Sequence, residues 1–378
     1  MATLIVTPFT PREGTGRGLR TIGVARALAR TDDVEIAYIE FDGSRPSATL
    51  RSERRVSLRK LEASRGPSRA AVYARARMAG IPRGFARGIS RELMTGAEVG
   101  GRFERVVADG PIAAAALLLL ARSRRVVYNA HNLESGFRSG LSTGQRDYGD
   151  PERLQAFERK IMTGASETWL PTFRDMREAA TVAPGATLRY VPNVVDVRAI
   201  SPVPPSGAGR VLFLADFSYE PNRNAARLLV HDVMPRLWKI NPAARLALVG
   251  RSPEFSDDVD RRIEVLGFVE DLDGQYAMSD CAVVPLLEGG GSPLKLIEAL
   301  AYGLPVVATP LAASGLEAAK AGIHYVEADG PGPLAESLAS VLGGESAEIG
   351  PRGRELVEAE YSIEALASLL ARSNESPR

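Results

Sequence analysis

Cysteine, histidine and lysine are all scarce in this chain of 378 residues. A single cysteine, Cys281, excludes an intramolecular disulfide, and three scattered histidines with one thiol match no zinc-ligand spacing. The longest apolar run, from Ile112 to Ala121, is far shorter than the ~20 residues of a membrane-spanning helix. The start of the chain also lacks the pattern of a signal peptide, so we expect a cytoplasmic protein without a metal site.

Positive and negative charges are almost balanced, since the chain has 47 basic and 46 acidic side chains. This balance argues against a uniformly basic nucleic-acid-binding protein. Residues 45–91, however, have 13 basic and 2 acidic side chains, while residues 197–378 have a net charge of −9. Two interpretations of the basic segment stay open. It forms a pair of solvated helices in an arginine-rich chain, or it binds anionic lipid headgroups or a phosphorylated acceptor.

Short apolar runs of strand length alternate with amphipathic stretches of helix length along most of the chain. This alternation predicts parallel sheets covered by helices on both faces. The fold class is therefore α/β, with two doubly wound, Rossmann-like domains. Six strands are predicted in each half, near residues 3–7, 34–39, 105–108, 125–128, 167–170 and 187–191, and near residues 210–214, 245–249, 263–266, 281–285, 305–308 and 323–326.

Proline marks the predicted boundary between the two domains. The stretch from Ser201 to Gly207 contains three prolines, which do not continue a helix or a central strand. We therefore predict an N-terminal domain over 1–200, a linker over 201–208, a C-terminal domain over 209–360 and a last helix over 361–378. That helix could cross back to the N-terminal domain. Residues 43–104 do not fit the alternation and are predicted to be a basic, variable insertion.

The densest chemical signal lies in residues 285–310, where a predicted strand is followed by three glycines, a proline and a helix. Glycines let backbone N–H groups approach a ligand closely, and a helix N-terminus favours negative charge. Ser292 adds a hydroxyl group and Lys295 adds a cation, so together they predict a pyrophosphate site. An ordinary strand–helix connection explains the glycines about as well. Glu298 could accept two ribose hydroxyl groups, or it could pair with Lys295 on the helix surface.

The stretch from Gly289 to Thr309 resembles the donor-binding motif of retaining glycosyltransferases of the GT-B fold, in the large group 1 family (family 4-like). Further stretches are similar to the family in the same order, at 129–135, 191–193, 213–222, 248–250 and 266–271. The resemblance covers most of the chain and is loose between residues 43 and 104. It implies two Rossmann-like domains that face each other across a cleft.

The resemblance also implies roles for individual residues. His131 and Asn132 would lie on the acceptor side, with His131 near the outer hydroxyl groups of the sugar. His131 and Lys295 would be the catalytic residues. The implied donor-binding residues are Gly14 and Gly16 near the sugar, Phe268 and Val269 beside the nucleobase, Glu298 at the ribose, and Glu288, Gly290, Gly291, Ser292, Leu294 and Lys295 around the diphosphate and sugar.

Two departures from the family pattern concern activity. Many members have a Glu-x7-Glu pair, but Gly290 stands eight residues before Glu298, so either Glu288 acts from a shifted loop or the first role is missing. The Arg and Lys pair that usually lies near the first strand of the second domain is also absent as such, because residues 216–222 contain no basic side chain and Arg223 follows them. The resemblance therefore leaves the diphosphate charge to Lys295.

Three features have both functional and structural interpretations. His131 follows a predicted strand, where ligands bind in open α/β sheets, although lone histidines there are also common structural residues. Asp271 and Asp273 mimic the Asp-x-Asp motif of metal-dependent transferases, but their place at a helix start favours capping. Cys281 lies in an apolar strand and is expected to be a small core residue.

The expected function is metal-independent transfer of a sugar from a nucleotide-sugar to an acceptor, with retention at the anomeric carbon. The acceptor stays open among natural products, lipid-linked saccharides and cell-wall polymers. Alternatives are a nucleotide-sugar epimerase, a pseudo-glycosyltransferase, or a non-catalytic GT-B subunit that supports a partner transferase. Peripheral association with an anionic membrane through residues 45–91 is a further expectation, and nucleic-acid binding is not expected.

Overall fold

The structure is a computed structural model that describes residues 1–40, 43–62, 67–95, 102–139, 151–252, 255, 259–288 and 294–372. The chain divides into two compact units. Unit 1 comprises Met1–Asn193 together with the residues from Leu366 onward, and unit 2 lies within Val194–Ala365. Each unit contains one parallel sheet surrounded by helices.

Unit 1 is built on a seven-stranded sheet with the order β3-β2-β1-β4-β5-β6-β7. All neighbouring strands are parallel. The chain order reverses between β1 and β4, and ligands bind beyond the carboxyl ends of strands at such a point. The strands are β1 (Ala2–Thr7), β2 (Asp33–Ile39), β3 (Val56–Leu61), β4 (Arg105–Asp109), β5 (Val126–Asn129), β6 (Glu167–Leu170) and β7 (Leu188–Tyr190).

The helices of unit 1 connect these strands. The apolar run that includes residues 112–121 forms a buried helix, which begins as α-helix at Gly110 and continues as π-helix over Ala115–Leu120. No helix among the described residues is long and apolar enough to cross a membrane. The helices are α1 (Gly16–Leu28), α2 (Ala48–Ser52), α3 (Pro67–Met78), α4 (Arg83–Ala86), α5 (Arg91–Thr95), α6 (Gly110–Ala114), α7 (Glu134–Ser139), α8 (Pro151–Gly164) and α9 (Phe173–Val182).

Strand β3 corrects the interpretation of the basic segment as a pair of solvated helices. It pairs along β2, with Val56 opposite Val34 and Leu58 opposite Ile36. The arginine-rich pattern hid this edge strand because basic side chains on and just before β3 form ion pairs with acidic side chains on and near β2. The pairs are Arg55–Asp33, Arg59–Glu35 and Lys60–Glu40. Helices α3 to α5 follow and bury apolar side chains in the core of unit 1, among them Val72, Ala76, Phe85 and Leu93.

Unit 2 is built on a six-stranded parallel sheet with the order β10-β9-β8-β11-β12-β13. All six strands predicted for this half are present, although β13 has only two residues. The chain order reverses between β8 and β11. The strands are β8 (Arg210–Leu214), β9 (Arg245–Val249), β10 (Ile263–Gly267), β11 (Cys281–Val284), β12 (Val306–Ala308) and β13 (Val326–Glu327).

The helices of unit 2 pack around this sheet in two apolar clusters. They are α10 (Glu220–Leu228, continued as π-helix over Leu229–Val233), α11 (Met234–Ile240), α12 (Leu272–Ala277), α13 (Leu294–Ala301), α14 (Pro310–Ala313), α15 (Pro331–Leu342) and α16 (Ile349–Glu360). The last helix, α17 (Ile363–Ala371), begins in unit 2, and its residues from Leu366 onward belong to unit 1. The apolar faces of the unit 2 helices cover strands that are buried along their whole length, such as β11.

The proline-rich stretch at 201–208 lies inside unit 2, because the units divide at Asn193 and Val194. Backbone hydrogen bonds fix it there: Val203 N–H donates to the Tyr302 carbonyl (2.9 Å) and Ser206 N–H donates to the Ser279 carbonyl (3.2 Å). In unit 1, the Arg189 guanidinium group donates to the carbonyl of Leu369 near the end of α17 (2.5 Å).

Candidate functional site

The loops at the carboxyl edge of the unit 2 sheet are joined by backbone hydrogen bonds. Phe217 N–H, after β8, donates to the Arg251 carbonyl after β9 (2.9 Å), and Gly250 N–H donates to Gly267 at the end of β10 (2.7 Å). Gly250 has a φ of +139°, and a Cβ atom there would lie 1.6 Å from the Ala215 carbonyl oxygen. Only glycine allows the two loops to approach so closely, and this approach fixes the position of Arg251.

Three charged side chains of alternating sign lie beside the point of strand reversal. They belong to neighbouring segments, because β8 lies between β9 and β11 in the sheet: Arg251 follows β9, Asp216 follows β8 and Lys295 lies in the helix after β11. Asp216 Oδ2 is 2.6 Å from Arg251 Nη2. Burial by itself raises the pKa of Asp216, but hydrogen bonds from Ser218 and the charge of Arg251 bring that pKa below its ordinary value.

Lys295 and Glu298 are both partly buried on the first turns of α13. Burial lowers the pKa of Lys295 to about 8, against the opposing charges of Asp216 and Glu298. Burial raises the pKa of Glu298 to about 7, against the charge of Lys295. The pair therefore differs from the exposed surface pair that spacing alone allowed. Two groups perturbed in this way at the carboxyl edge of a sheet are typical of a binding or catalytic site.

Four other predicted donor-binding residues lie near the same edge. The Glu288 carboxylate accepts a hydrogen bond from the Asn224 side chain of α10 (2.5 Å). Phe268, directly after β10, is 66% exposed, and Val269 beside it packs against the core. Leu294 is the first residue of α13. The predicted residues Gly290, Gly291 and Ser292 lie outside the described residues.

The Asp-x-Asp stretch caps a helix, as predicted. The Asp271 side chain accepts a hydrogen bond from the third backbone N–H of α12 (2.8 Å). Asp273 accepts one from the Tyr302 hydroxyl (2.6 Å), and the Tyr302 ring stacks on Tyr276 with 3.7 Å between centroids. Cys281 is fully buried in the core, which confirms its structural interpretation, and burial raises the pKa of its thiol.

A second polar cluster lies at the strand reversal of unit 1, around Asp109, the last residue of β4. Its fully buried carboxylate accepts hydrogen bonds from the Thr21 hydroxyl and the Asn129 amide (2.7 Å each), and His131 Nε2 lies 3.0 Å away. Burial by itself raises the pKa of Asp109, but the charge of His131 and the three hydrogen bonds lower it below its ordinary value. Asp109 is therefore a buried carboxylate surrounded by donors.

The predicted acceptor-side residues His131 and Asn132 are located next to this carboxylate. A Cβ atom on Gly110, which has a φ of +81°, would lie 3.1 Å from His131 Cε1, so only glycine leaves room for the ring. The Phe9 ring lies on another side, 5.8 Å between centroids. The buried Oδ1 atom of Asn132 has no hydrogen-bond partner within the described part of the chain.

The predicted glycines Gly14 and Gly16 form the turn between β1 and α1. Gly14 has a φ of +82°, which favours glycine, and Gly16 is the first residue of α1. Thr15 between them caps the helix by accepting a hydrogen bond from Gly18 N–H (3.1 Å). This turn brings the start of α1 to the same strand reversal as Asp109.

Two buried residues that the sequence did not single out hold the loops of unit 1. Glu158 on α8 accepts hydrogen bonds from the backbone N–H groups of Glu134 (2.5 Å) and Ser135 (3.2 Å), and burial raises its pKa to about 7. Arg20 on α1 donates to the Val191 carbonyl and to Asn193 (2.9 Å each). Glu158 and Arg20 thus fix the segments 129–135 and 191–193, which resemble the family. Only their burial in the folded protein distinguishes these two residues from other charged residues of the sequence.

Two parallel α/β sheets, each with a reversal of strand order, are the architecture of GT-B glycosyltransferases, so the predicted fold is confirmed. Residues 208–343 match the family model described as Glycosyl transferases group 1. The matched residues include the stretch from Gly289 to Thr309, on which the resemblance to this family is based.

Curated relatives match over part of the chain. A phosphatidyl-myo-inositol mannosyltransferase of Mycobacterium leprae is 31% identical over 172 residues, which is 42% of this chain and 45% of that protein. The protein of the same name from Mycolicibacterium smegmatis is 32% identical over 139 residues, or 34% of this chain and 35% of that protein. The chain therefore spans less than half the length of the curated relatives it matches.

Solved structures match over the whole chain. A sucrose-phosphate synthase from Thermosynechococcus elongatus has a TM-score of 0.74 at 18% identity, covering 99% of this chain and 98% of that one. Anabaena HepE, in complex with UDP and glucose, has a TM-score of 0.71 at 12% identity, covering 98% and 99%. At these identities the likeness concerns the fold.

Proposed function

We propose that the protein transfers a sugar from a nucleoside diphosphate-sugar to an acceptor hydroxyl group. The observation that supports this most is the partly buried pair of Lys295 and Glu298 at the strand reversal of unit 2. The ammonium group suits a diphosphate, and the carboxylate one turn later suits the ribose hydroxyl groups. The mannosyltransferase names of the curated relatives and the UDP bound to HepE favour the same donor class.

The proposed reaction breaks the bond between the anomeric carbon and the diphosphate oxygen, and it forms a bond to the acceptor oxygen on the same face. The acceptor proton goes to the departing phosphate oxygen, so the anomeric configuration is retained. Such a step needs stabilisation of the leaving diphosphate and of an oxocarbenium-like sugar. Lys295 and the first N–H groups of α13 would supply positive potential, so we propose that no metal ion is required.

We assign the acceptor side to the cluster in unit 1. Asp109 faces Nε2 of His131 and favours a proton on that nitrogen, because an ionised carboxylate only accepts hydrogen bonds. Nδ1 of His131 is then the ring atom that can accept a hydrogen bond from a sugar or acceptor hydroxyl group. The buried Asn132 Oδ1 atom offers a second acceptor beside it.

We also propose that the basic segment 45–91 faces an anionic surface. Many of its arginines are exposed, including Arg45, Arg51, Arg54 and Arg91, although others are paired with β2. Sedimentation with vesicles of phosphatidylcholine, with and without phosphatidylserine, tests this at low and moderate salt. Binding only to the anionic vesicles, and weaker at moderate salt, is expected. Equal recovery with both vesicle types at low salt would overturn the proposal.

A thermal-shift screen with UDP-, GDP- and dTDP-sugars tests the donor class, because a ligand that binds the folded state raises the unfolding temperature. We expect one nucleotide to stand out with several of its sugars, and no shift with any of them contradicts the proposal. Proton NMR of the transferred sugar then reports the anomeric configuration. Conversion of the donor without an acceptor indicates an epimerase, and binding without turnover indicates a supporting subunit.

A further inference from the structure

A diphosphate brings at least two negative charges to the carboxyl edge of unit 2. One lysine on α13 balances only part of that charge, and residues 216–222, directly after β8, have no basic side chain. Arg223 follows them, and its guanidinium group donates hydrogen bonds to the carbonyls of Phe217 (3.1 Å) and Ser218 (2.8 Å) in that loop. The next loop along the sheet contains another cation. Arg251 follows β9, the strand that neighbours β8, and its guanidinium group reaches back to the β8 loop.

The backbone holds Arg251 at this place. Its carbonyl accepts a hydrogen bond from Phe217 N–H (2.9 Å), and the preceding Gly250 packs against the Ala215 carbonyl, where a Cβ atom would lie at 1.6 Å. The β8 and β9 loops therefore form one rigid strip. The Arg251 side chain is nevertheless 39% exposed and that of Asp216 is 34% exposed, so the ion pair is accessible to a ligand.

The charge of Asp216 acts on two cations, Arg251 in this strip and Lys295 on α13. Asp216 pairs directly with Arg251 (2.6 Å), and its negative charge raises the pKa of Lys295 more than that of Glu298 does. Partly exposed ion pairs of this kind contribute little to stability, so a stronger anion exchanges readily with the carboxylate. A phosphate group is such an anion, because the planar guanidinium group binds it through two parallel hydrogen bonds.

We propose that Arg251 is a donor-binding residue that contacts the diphosphate, and that Asp216 competes with the diphosphate for it. Arg251 thus takes the place of the cation missing from the β8 loop. Asp216 pairs with Arg251 until the donor binds, and the diphosphate then replaces the carboxylate. This inference rests on the proposed function, because it names a further residue of the same donor site.

Calorimetry with UDP, GDP and dTDP at pH 6.5 tests the inference through two variants of opposite effect. Arg251→Ala should lower the affinity for the nucleotide that binds the wild type most tightly by about tenfold or more. This loss corresponds to one charge-assisted contact. Asp216→Asn should raise the affinity for the same nucleotide several-fold, because the substitution removes both the competing carboxylate and its repulsive charge. Uridine, guanosine and thymidine, which have no phosphate, should bind equally to all three proteins.

A matched control pair exists in the same unit. Asp260 and Arg262 are 2.7 Å apart and 35% and 32% exposed, but they precede β10 and lie at the opposite end of the sheet. Arg262→Ala and Asp260→Asn should change nucleoside diphosphate affinity less than twofold. Arg251→Lys, which keeps the charge and loses the planar group, should recover part of the affinity and serves as the second variant if Arg251→Ala does not fold.

The outcomes separate the inference from the proposed function. If Lys295→Ala weakens binding and Arg251→Ala does not, Arg251 is a structural partner of Asp216 only and the inference is wrong. Weaker nucleotide binding by Asp216→Asn would also contradict the proposed competition between Asp216 and the diphosphate for Arg251. If the wild-type protein binds none of the three nucleoside diphosphates, the proposed function fails and the inference fails with it.

Discussion

Replacing Lys295 with alanine is expected to stabilise the ligand-free protein while it weakens nucleotide binding. Burial lowers the pKa of Lys295 from 10.5 to about 8, and that shift corresponds to roughly 3 kcal/mol for a fully buried group. The side chain is partly exposed, so solvent screening reduces this cost. We therefore expect Lys295→Ala to raise the free energy of unfolding at pH 7 by about 1 kcal/mol.

The sign of the pH dependence follows from the lowered pKa. In the unfolded chain the ammonium group stays protonated up to pH 10.5, whereas in the folded protein it loses its proton near pH 8. The cost of Lys295 is thus fully present below pH 8 and disappears as the pH rises from 8 to 10.5. The stability gained by Lys295→Ala should shrink over the same range.

Nucleotide binding should respond in the opposite direction. With a pKa of about 8, the protonated fraction of Lys295 falls from about 0.9 at pH 7 to about 0.1 at pH 9. Nucleoside diphosphate affinity should therefore drop about tenfold between these pH values in the wild type. Lys295→Arg, whose guanidinium group stays charged, should remove most of that drop.

Urea denaturation and calorimetry between pH 6 and 10 measure both effects. Lys239→Ala is the matched control, because Lys239 is an exposed lysine in the last turn of α11. This control should leave stability and nucleotide affinity unchanged. A loss of stability in Lys295→Ala together with wild-type nucleotide affinity would refute the reasoning, since it would show an ordinary structural lysine.

Other substitutions test the supporting geometry. Gly250→Ala should destabilise unit 2 by several kcal/mol in urea, because its Cβ atom clashes with Ala215; Gly322→Ala, with a positive φ but open space, should cost about 1–2 kcal/mol. Asp109→Ala should lower the free energy of unfolding by about 3 kcal/mol, and Asp109→Asn, whose amide oxygen still accepts, by less. Burial raises the pKa of Glu158 to about 7, so stability should fall as the pH rises from 5 to 7 in the wild type. The fall should be smaller in Glu158→Gln, where Glu298 still titrates in the same range. EDTA should leave turnover unchanged. A loss of turnover with EDTA that Mn²⁺ restores would contradict a metal-independent reaction.

The strands of unit 2 were the most predictable part of the fold. The apolar runs of unit 2 are long enough to be recognised, and all six coincide with strands. Strand β3 was missed because Arg59 and Lys60 interrupt its apolar alternation, and their acidic partners lie on and near β2. An edge strand of this kind becomes recognisable only when the charges of the neighbouring strand are considered with it.

The candidate site was predictable where it lies within one segment. Lys295 and Glu298 are separated by one helical turn, so their motif was visible in the sequence. Asp216 and Arg251 lie 35 residues apart, and their contact depends on the pairing of β8 with β9. Asp109 has a local signal in the sequence, since it is an acidic residue directly after a predicted strand and before Gly110. Burial, which sets the pKa values of Lys295 and Glu298, follows only from tertiary packing.

Release of the nucleoside diphosphate from its sugar tests the central claim most directly. The nucleotide-sugar that stabilises the protein most in the thermal-shift screen would be incubated with the wild type and with Lys295→Ala, and the free diphosphate would be quantified by chromatography. We predict release by the wild type, without added metal, and a rate at least tenfold lower in Lys295→Ala. Equal rates in the two proteins, or no release by the wild type with acceptors present, would contradict glycosyl transfer at this site.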